Sequence, residues 1–320
     1  MLHGISVDTK YLFRVSESLR VAELATQLLA LSKPLAAFDM PLLDSYGATL
    51  AQDIYQGDRL ALRSGSRIRS TQIGLAASLG LDHLPTRPQP RVVVISAGDD
   101  LVEPGKVLGS GEEFEVNSWL LTTAMKEAGA VGYRVTTIPE TEDSLKDVVE
   151  DQLVRADLIV ICGESHDESF DLIYGVLSRL GDVESVTPNI EGSGRHAFGT
   201  IGPDKTPVVA LPGDPISAYI SNELFIRPMI RNMMGLYDIH RPITRATLTN
   251  DVASESGKHA FIRAILSTDN PNRRLVTALP NQDDLIGLSD ATGLIVMSEE
   301  ATSYKAGEEV EVLMLERRFN

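Results

Sequence analysis

RVVVIS, residues 91–96, is the stretch that decides the fold. Its consecutive β-branched residues, Val92 to Ile95, leave no polar face, which predicts a strand covered by protein on both sides. Downstream, helical patterns over Trp119–Ala128 and Glu142–Val154 alternate with strand patterns in YRVTTI (133–138), LIVI (158–161) and PVVAL (207–211). A long helix is expected over Ser217–Met234. This β-α-β-α-β-α order predicts an α/β fold with a doubly wound, mostly parallel sheet.

Toward the N-terminus, Ser16–Lys33 places Leu19, Val21, Leu24, Leu28, Leu29 and Leu31 at helical spacings. A second helical pattern covers Met40–Ile54, and a third covers Thr71–Leu79 with a stop at Gly80. The intervening QGDRLALRSGSRIRS (56–70) reads as loop. Pro85, Pro88 and Pro90 lack backbone donors and mark a boundary, so residues 1–84 are expected to form an N-terminal helical region and 85–237 the α/β domain. Beyond it, RATLTN, FIRAILS, RRLVTAL, GLIVMS and EEVEVLML are short alternating runs, which predict a small β-barrel domain over residues 238–320.

A formal net charge of −16 over 320 residues opposes a nucleic-acid-coating role, because no basic surface is available to release counterions. The single cysteine, Cys162, excludes an internal disulfide framework and a cysteine-cluster metal site. No apolar run approaches the roughly 20 residues of a membrane span, and no secretory signal is expected. The protein is read as cytoplasmic, without membrane insertion.

In an open α/β sheet, ligands collect beyond the carboxyl ends of the strands. The loops there are SAGDDLVEPG (96–105), IPETEDS (138–144), GESHDESFD (163–171) and LPGDPISA (211–218). Convergence of Asp99, Asp100, Glu140, Asp167 and Asp171 would favour a hard cation such as Mg²⁺; scattered, they are solvated loop acids. His166 reads either as a ligand or base or as an exposed loop residue, and Cys162 as a small buried group rather than a nucleophile. GSGRH (192–196) offers backbone donors and Arg195 to a phosphate.

VVVISAGDDLVEPGKVLGSGEEFEVNSWLL, LPGDPISA and TGLIVMSEEATSYKAGEEVEVLML resemble signature stretches of the MoeA/gephyrin family, across most of residues 70–318 and more weakly over 16–60. The resemblance implies molybdate insertion into adenylylated molybdopterin with Mg²⁺. It places Asp100 and Asp171 as catalytic and metal-binding carboxylates. It assigns ligand contacts to Gly98, Asn117, Gly163, Ser193, Arg195, Pro212, Gly213, Asp214 and Ser217. It also implies a homodimer, with a leucine stripe on the first helix awaiting burial.

Departures from the family pattern cluster at the site. Asp100 stands for a glutamate, and Glu191 and Gly194 for two lysines. A glycine-rich loop has become Gly163-Glu164-Ser165-His166-Asp167-Glu168, and a β-rich domain expected near residues 55–80 is missing. Losing two charge-assisted contacts of ~1.5–3 kcal/mol each implies roughly 100-fold weaker anion binding, or no cofactor bound at all. The alternative, for which the resemblance offers the precedent, is a non-catalytic scaffold for a protein peptide, for example the tail of the division protein FtsZ. It would dock where the α/β and barrel domains meet, near Pro228–Tyr237 and Ile286–Ser298.

Overall fold

Helix α1 (Val21–Leu31) opens the part of the chain described by the computed structural model, which covers residues 19–136, 141–270, 273–282 and 284–315. The expected start at Ser16 lies outside the described residues. Leu24 and Leu28, one helical turn apart, are 0% and 1% exposed and join the core beneath the large sheet. The leucine stripe is therefore covered within the chain, and no second copy is needed to bury it.

The segment expected to be helical over Met40–Ile54 is instead strand, turn and strand. Strand β1 (Phe38–Pro41) ends at a proline, and Gly47 holds φ +84, which breaks a right-handed helix before β2 (Thr49–Leu50). Strands β3 (Ile54–Gln56) and β4 (Arg59–Leu62) form a hairpin turned by Gly57 at φ +59, inside a stretch expected to be loop. Helix α2 (Ser70–Ser78) follows its sequence pattern and stops before Gly80 at φ +77. Strand β5 (His83–Arg87) lies between β1 and β2, antiparallel to both, over a small core of Leu50, Leu62, Ile68, Ala76 and Leu84. Pro85 is tolerated there because the strand uses its carbonyl, which accepts from Ala51 N–H at 2.8 Å. The N-terminal unit thus mixes helix with strand and runs to Arg87, past the boundary expected at residue 84.

The α/β domain carries β6 (Arg91–Ser96), the short strands β7 (Leu101–Val102) and β8 (Glu113–Phe114), α3 (Asn117–Ala128), β9 (Val131–Arg134) and α4 (Glu142–Leu153). It continues through β10 (Leu158–Cys162), α5 (Asp167–Leu180), β11 (Gly181–Val186), β12 (His196–Ile201) and β13 (Thr206–Leu211). The sheet order is β11-β12-β13-β10-β6-β9; β13, β10, β6 and β9 are parallel, and β12 alone runs opposite, antiparallel to both β13 and β11. Both faces are covered, as the apolar run demanded: Val92 and Val94 point into the core shared with α1 and α3, Val93 and Ile95 into the core under α4 and α5. Strand β9 starts earlier than its sequence pattern, and Glu140 lies outside the described residues.

The expected long helix begins at Pro215, because Asp214 caps it and Pro215 needs no donor at its first turn. It runs as α6 (Pro215–Ser221), a π-turn over Asn222–Ile226 and α7 (Arg227–Met233), with Arg227 N–H bonding Asn222 O. The widened turn precedes Pro228, whose missing N–H would interrupt a regular α-helical ladder.

The C-terminal strands β14 (Ile243–Leu248), β15 (Val252–Ala253), β16 (Ala260–Asn270) and β17 (Arg273–Ala278), helix α8 (Leu285–Asp290), and β18 (Gly293–Met297), β19 (Ser303–Tyr304) and β20 (Glu309–Met314) match the alternating runs. A closed barrel β14-β17-β16-β18-β20 encloses Leu248, Leu266, Val276, Ile295 and Val312. Arg241, in the linker before β14, donates to both carboxylate oxygens of buried Glu223 at 2.6 and 3.1 Å and to Leu315 O at 2.6 Å, fastening the barrel to the π-turn. Among the described residues, no helix is long and apolar enough to cross a membrane.

Candidate functional site

The register sets the site. Cys162 is level with Ser96 on one side and Leu211 on the other, so the loops that follow β6, β10 and β13 emerge side by side. Two cavities open among them. The first, about 310 Å³, lies between Asp100-Leu101, the stretch 113–117 and the loop 163–166; the second, about 380 Å³, lies between 163–167, 192–195 and 211–214. Gly163, Glu164, Ser165, His166 and Gly213 line both and form the partition.

Glu164 is the central group of that partition. Its side chain is only 11% exposed. Oε1 accepts from Asp100 N–H at 2.8 Å, and Oε2 lies 2.6 Å from His166 Nε2. His166 caps α5, its Nδ1 accepting from Ser169 N–H at 3.1 Å, so Nε2 carries the proton that it donates to Glu164. A Cβ on Gly98 would fall 2.6 Å from Glu164 Oε1, so this glycine leaves room for the carboxylate. The strand, glycine and helix start that elsewhere suit an anion are here satisfied internally: His166 caps the helix, Asp167 and Glu168 fill its first turn, and Glu164 holds the neighbouring turn's amide.

The other expected residues divide by role. Gly163 and Gly213 are places of close approach: an added Cβ would meet Ser169 Oγ at 2.1 Å or Glu164 O at 2.2 Å. Asn117 Nδ2 donates to Gly213 O at 2.6 Å, while its Oδ1 is buried without a hydrogen-bond partner among the described residues. Asp214 accepts from Ser217 N–H at 2.8 Å, and Ser217 Oγ donates to Gly192 O at 3.0 Å. Pro212 packs on Gly194, and Ser193 lines the second cavity. Arg195 also lines it, stacked 4.4 Å over Phe170, but donates to Asp171 Oδ1 at 2.6 Å.

The metal expectation fares differently. Asp171 lines neither cavity and is engaged by Arg195, while Asp100 lines the first cavity. Asp99 and Asp167 do not gather with them as ligands: among the described residues, no three His, Cys, Asp or Glu side chains converge to hold a metal ion. These residues therefore do not fit Mg²⁺ held by Asp100 and Asp171. Burial pushes the Cys162 thiol up, with Glu115 adding to the effect, which agrees with a small buried group.

Sequence reading missed three supports. Glu115, buried beside the first cavity, accepts from Ser118 N–H at 2.7 Å and Arg134 Nη2 at 3.3 Å, and Arg134 also pairs with Glu103 and lies 4.2 Å over Trp119. His196, fully buried, holds Gly194 O at 3.0 Å through Nδ1 and Ser221 Oγ at 2.8 Å through Nε2; desolvation lowers its pKa to about 4. Glu164 itself was detectable as a charged residue directly after the strand-ending glycine, yet its inward direction could not be read from the chain.

Two family models match: a probable molybdopterin binding domain over residues 93–232 and the MoeA C-terminal region (domain IV) over 245–315. The chain belongs to the MoeA family. It is 32% identical over 277 residues to Molybdopterin molybdenumtransferase 1 of Mycobacterium tuberculosis, spanning 85% of this chain and 65% of that protein. It is 34% identical over 268 residues to Molybdopterin molybdenumtransferase 2 of the same organism, spanning 82% of this chain and 65% of that protein. The chain thus spans about two thirds of the length of these relatives. Two crystal structures of the molybdopterin biosynthesis MoeA protein from Pyrococcus horikoshii share the fold at 19% and 16% identity. Their TM-scores are 0.81 and 0.75, and they cover 94% and 93% of this chain and 100% of those chains.

Proposed function

We propose that this MoeA-family protein serves molybdenum-cofactor biosynthesis with its molybdate-insertion step into adenylylated molybdopterin weak or lost. The observation that carries this reading is the Glu164 carboxylate on Asp100 N–H. A unit negative charge about 5 Å from an incoming phosphate opposes it by about 3 kcal/mol at an effective dielectric near 20, a weakening on the order of 100-fold. Arg195 does not offset this, because Asp171 already neutralises it. Calorimetric titration with adenylylated molybdopterin is expected to give a millimolar or weaker Kd; micromolar binding would end this reading. The homodimer belongs to the same reading through family resemblance, and a stable monomer at micromolar concentration in sedimentation would contradict it.

A second reading, a non-catalytic peptide scaffold, is favoured by a groove of about 610 Å³ where the α/β domain meets the barrel, walled by Ile216, Ile220, Val252, Phe261 and Leu279. Neither Pro228–Tyr237 nor Ile286–Ser298, the stretches expected from sequence, lines this groove; this second reading takes the peptide at the groove residues instead. Titration with the FtsZ tail peptide, with Phe261→Ala as the control, tests it: affinity indifferent to that change would count against the groove.

A further inference from the structure

The first cavity carries several acceptors, and several of its donors are already engaged. Among its described lining residues are Asp100, Glu113, Glu115 and Glu164, with no lysine or arginine. The amide of Asp100 is held by Glu164, that of Glu113 by Asp100 O at 2.9 Å and that of Glu115 by Val102 O at 2.8 Å; His166 Nε2–H is held by Glu164. Arg134, behind Glu115, is divided between Glu115 and Glu103.

Carboxylates alone would be an ordinary acidic rim. The independent observation is Asn117, 6% exposed, which lines this cavity with a buried carbonyl oxygen that no described group satisfies. A buried acceptor left bare is destabilising, and a donor from a ligand would remove that penalty. Phe114, 44% exposed, supplies an aromatic face on the same wall. A planar cation can stack on such a face.

We propose that this cavity binds a planar organic cation bearing N–H donors, an amidinium or a protonated amino-heterocycle, with Asn117 Oδ1 and the carboxylates of Glu164 and Asp100 as its acceptors. A carboxylate that has accepted two hydrogen bonds retains lone pairs for a further donor, so Glu164 serves the ligand without leaving Asp100 or His166. The proposal rests on the anion-excluding reading above and gives it a positive content, since one charge arrangement that repels a phosphate attracts this guest. A directly ligated metal ion fits less well, because no three His, Cys, Asp or Glu side chains converge to hold one among the described residues.

Benzamidine is the probe, with neutral, near-isosteric benzamide as the control, both titrated calorimetrically into the full chain at low salt. Benzamidine is expected to bind at least tenfold more tightly than benzamide, and Glu164→Gln and Asn117→Ala are each expected to weaken it tenfold. Glu113→Gln, at an exposed position, serves as a variant whose folding is not at issue and is expected to weaken it two- to threefold. Equal affinity for the two probes, no benzamidine binding at millimolar concentration, or binding unchanged by all three variants overturns the proposal. Its failure is distinct from failure of the functional reading, which is decided by the titration with adenylylated molybdopterin.

Discussion

Replacing Glu164 with alanine should restore anion binding at a cost in stability. The side chain is nearly enclosed and accepts from Asp100 N–H at 2.8 Å while lying 2.6 Å from His166 Nε2. Removing it forfeits two hydrogen bonds to a charged acceptor, each worth about 1.5–3 kcal/mol, although water entering the open cavity compensates in part. A net loss of ~2 kcal/mol corresponds to a drop in Tm of several degrees for a chain of this size. The gain for an anion is the removed repulsion, about 3 kcal/mol per unit charge at roughly 5 Å and an effective dielectric near 20, together with a freed amide donor. The affinity for adenylylated molybdopterin should therefore rise on the order of 100-fold by calorimetry at fixed ionic strength. Glu164→Gln separates the two contributions, since it keeps an acceptor for Asp100 N–H but drops the charge, and should recover most of the gain with less loss of stability. If both variants bind no more tightly than the parent, the electrostatic argument is refuted.

Two further outcomes follow from buried groups. His196 stays neutral in the fold with a pKa of about 4, against an ordinary 6.5. The unfolded chain therefore takes up a proton that the fold does not, and stability should be lost as pH falls from 6.5 toward 4, by ~3 kcal/mol in full. Urea unfolding across that range should show a shallower pH slope for His196→Asn than for the parent; identical slopes would remove His196 from the account. Arg241→Met should cost about 3 kcal/mol, because it removes both hydrogen bonds to the Glu223 carboxylate, whose side chain is 0% exposed, and leaves it only the Arg227 guanidinium at 3.9 Å, whereas adding Glu223→Gln should recover part of the loss. Additive losses in the double variant would show that the two side chains do not act as a pair.

The sheet and the barrel were legible because burial writes itself into residue type. Val92–Ile95 and Leu158–Ile161 are short β-branched-rich apolar runs that read as strands covered on both faces, and the C-terminal runs alternate as barrel strands do. The N-terminal region was harder. Leucines over residues 40–54 imitate helical spacing, and only the positive φ of Gly47 and the pairing of β5 between distant segments reveal a sheet. At the site, glycines and carboxylates were found by position, but direction was not. That Asp171 faces Arg195 rather than a cavity, that Asp214 caps a helix and that Glu164 folds inward depend on rotamers and neighbours far apart in the chain. His196 gave no signal in sequence, because a lone histidine at a strand start does not disclose the serine 2.8 Å away on α6.

The β3–β4 hairpin makes this part of the chain a natural splice point. Its strands depart and return side by side, with Ile54 opposite Leu62, so whatever length of polypeptide joins them is felt by the rest of the protein only as loop closure. That penalty grows by only about 0.6 kcal/mol for each doubling of length. A whole module with neighbouring termini can thus be gained or shed at Gly57-Asp58 while the three-stranded sheet, the large sheet and the barrel keep their contacts. Architecture at this corner is modular, and proteins of quite different length can share everything else.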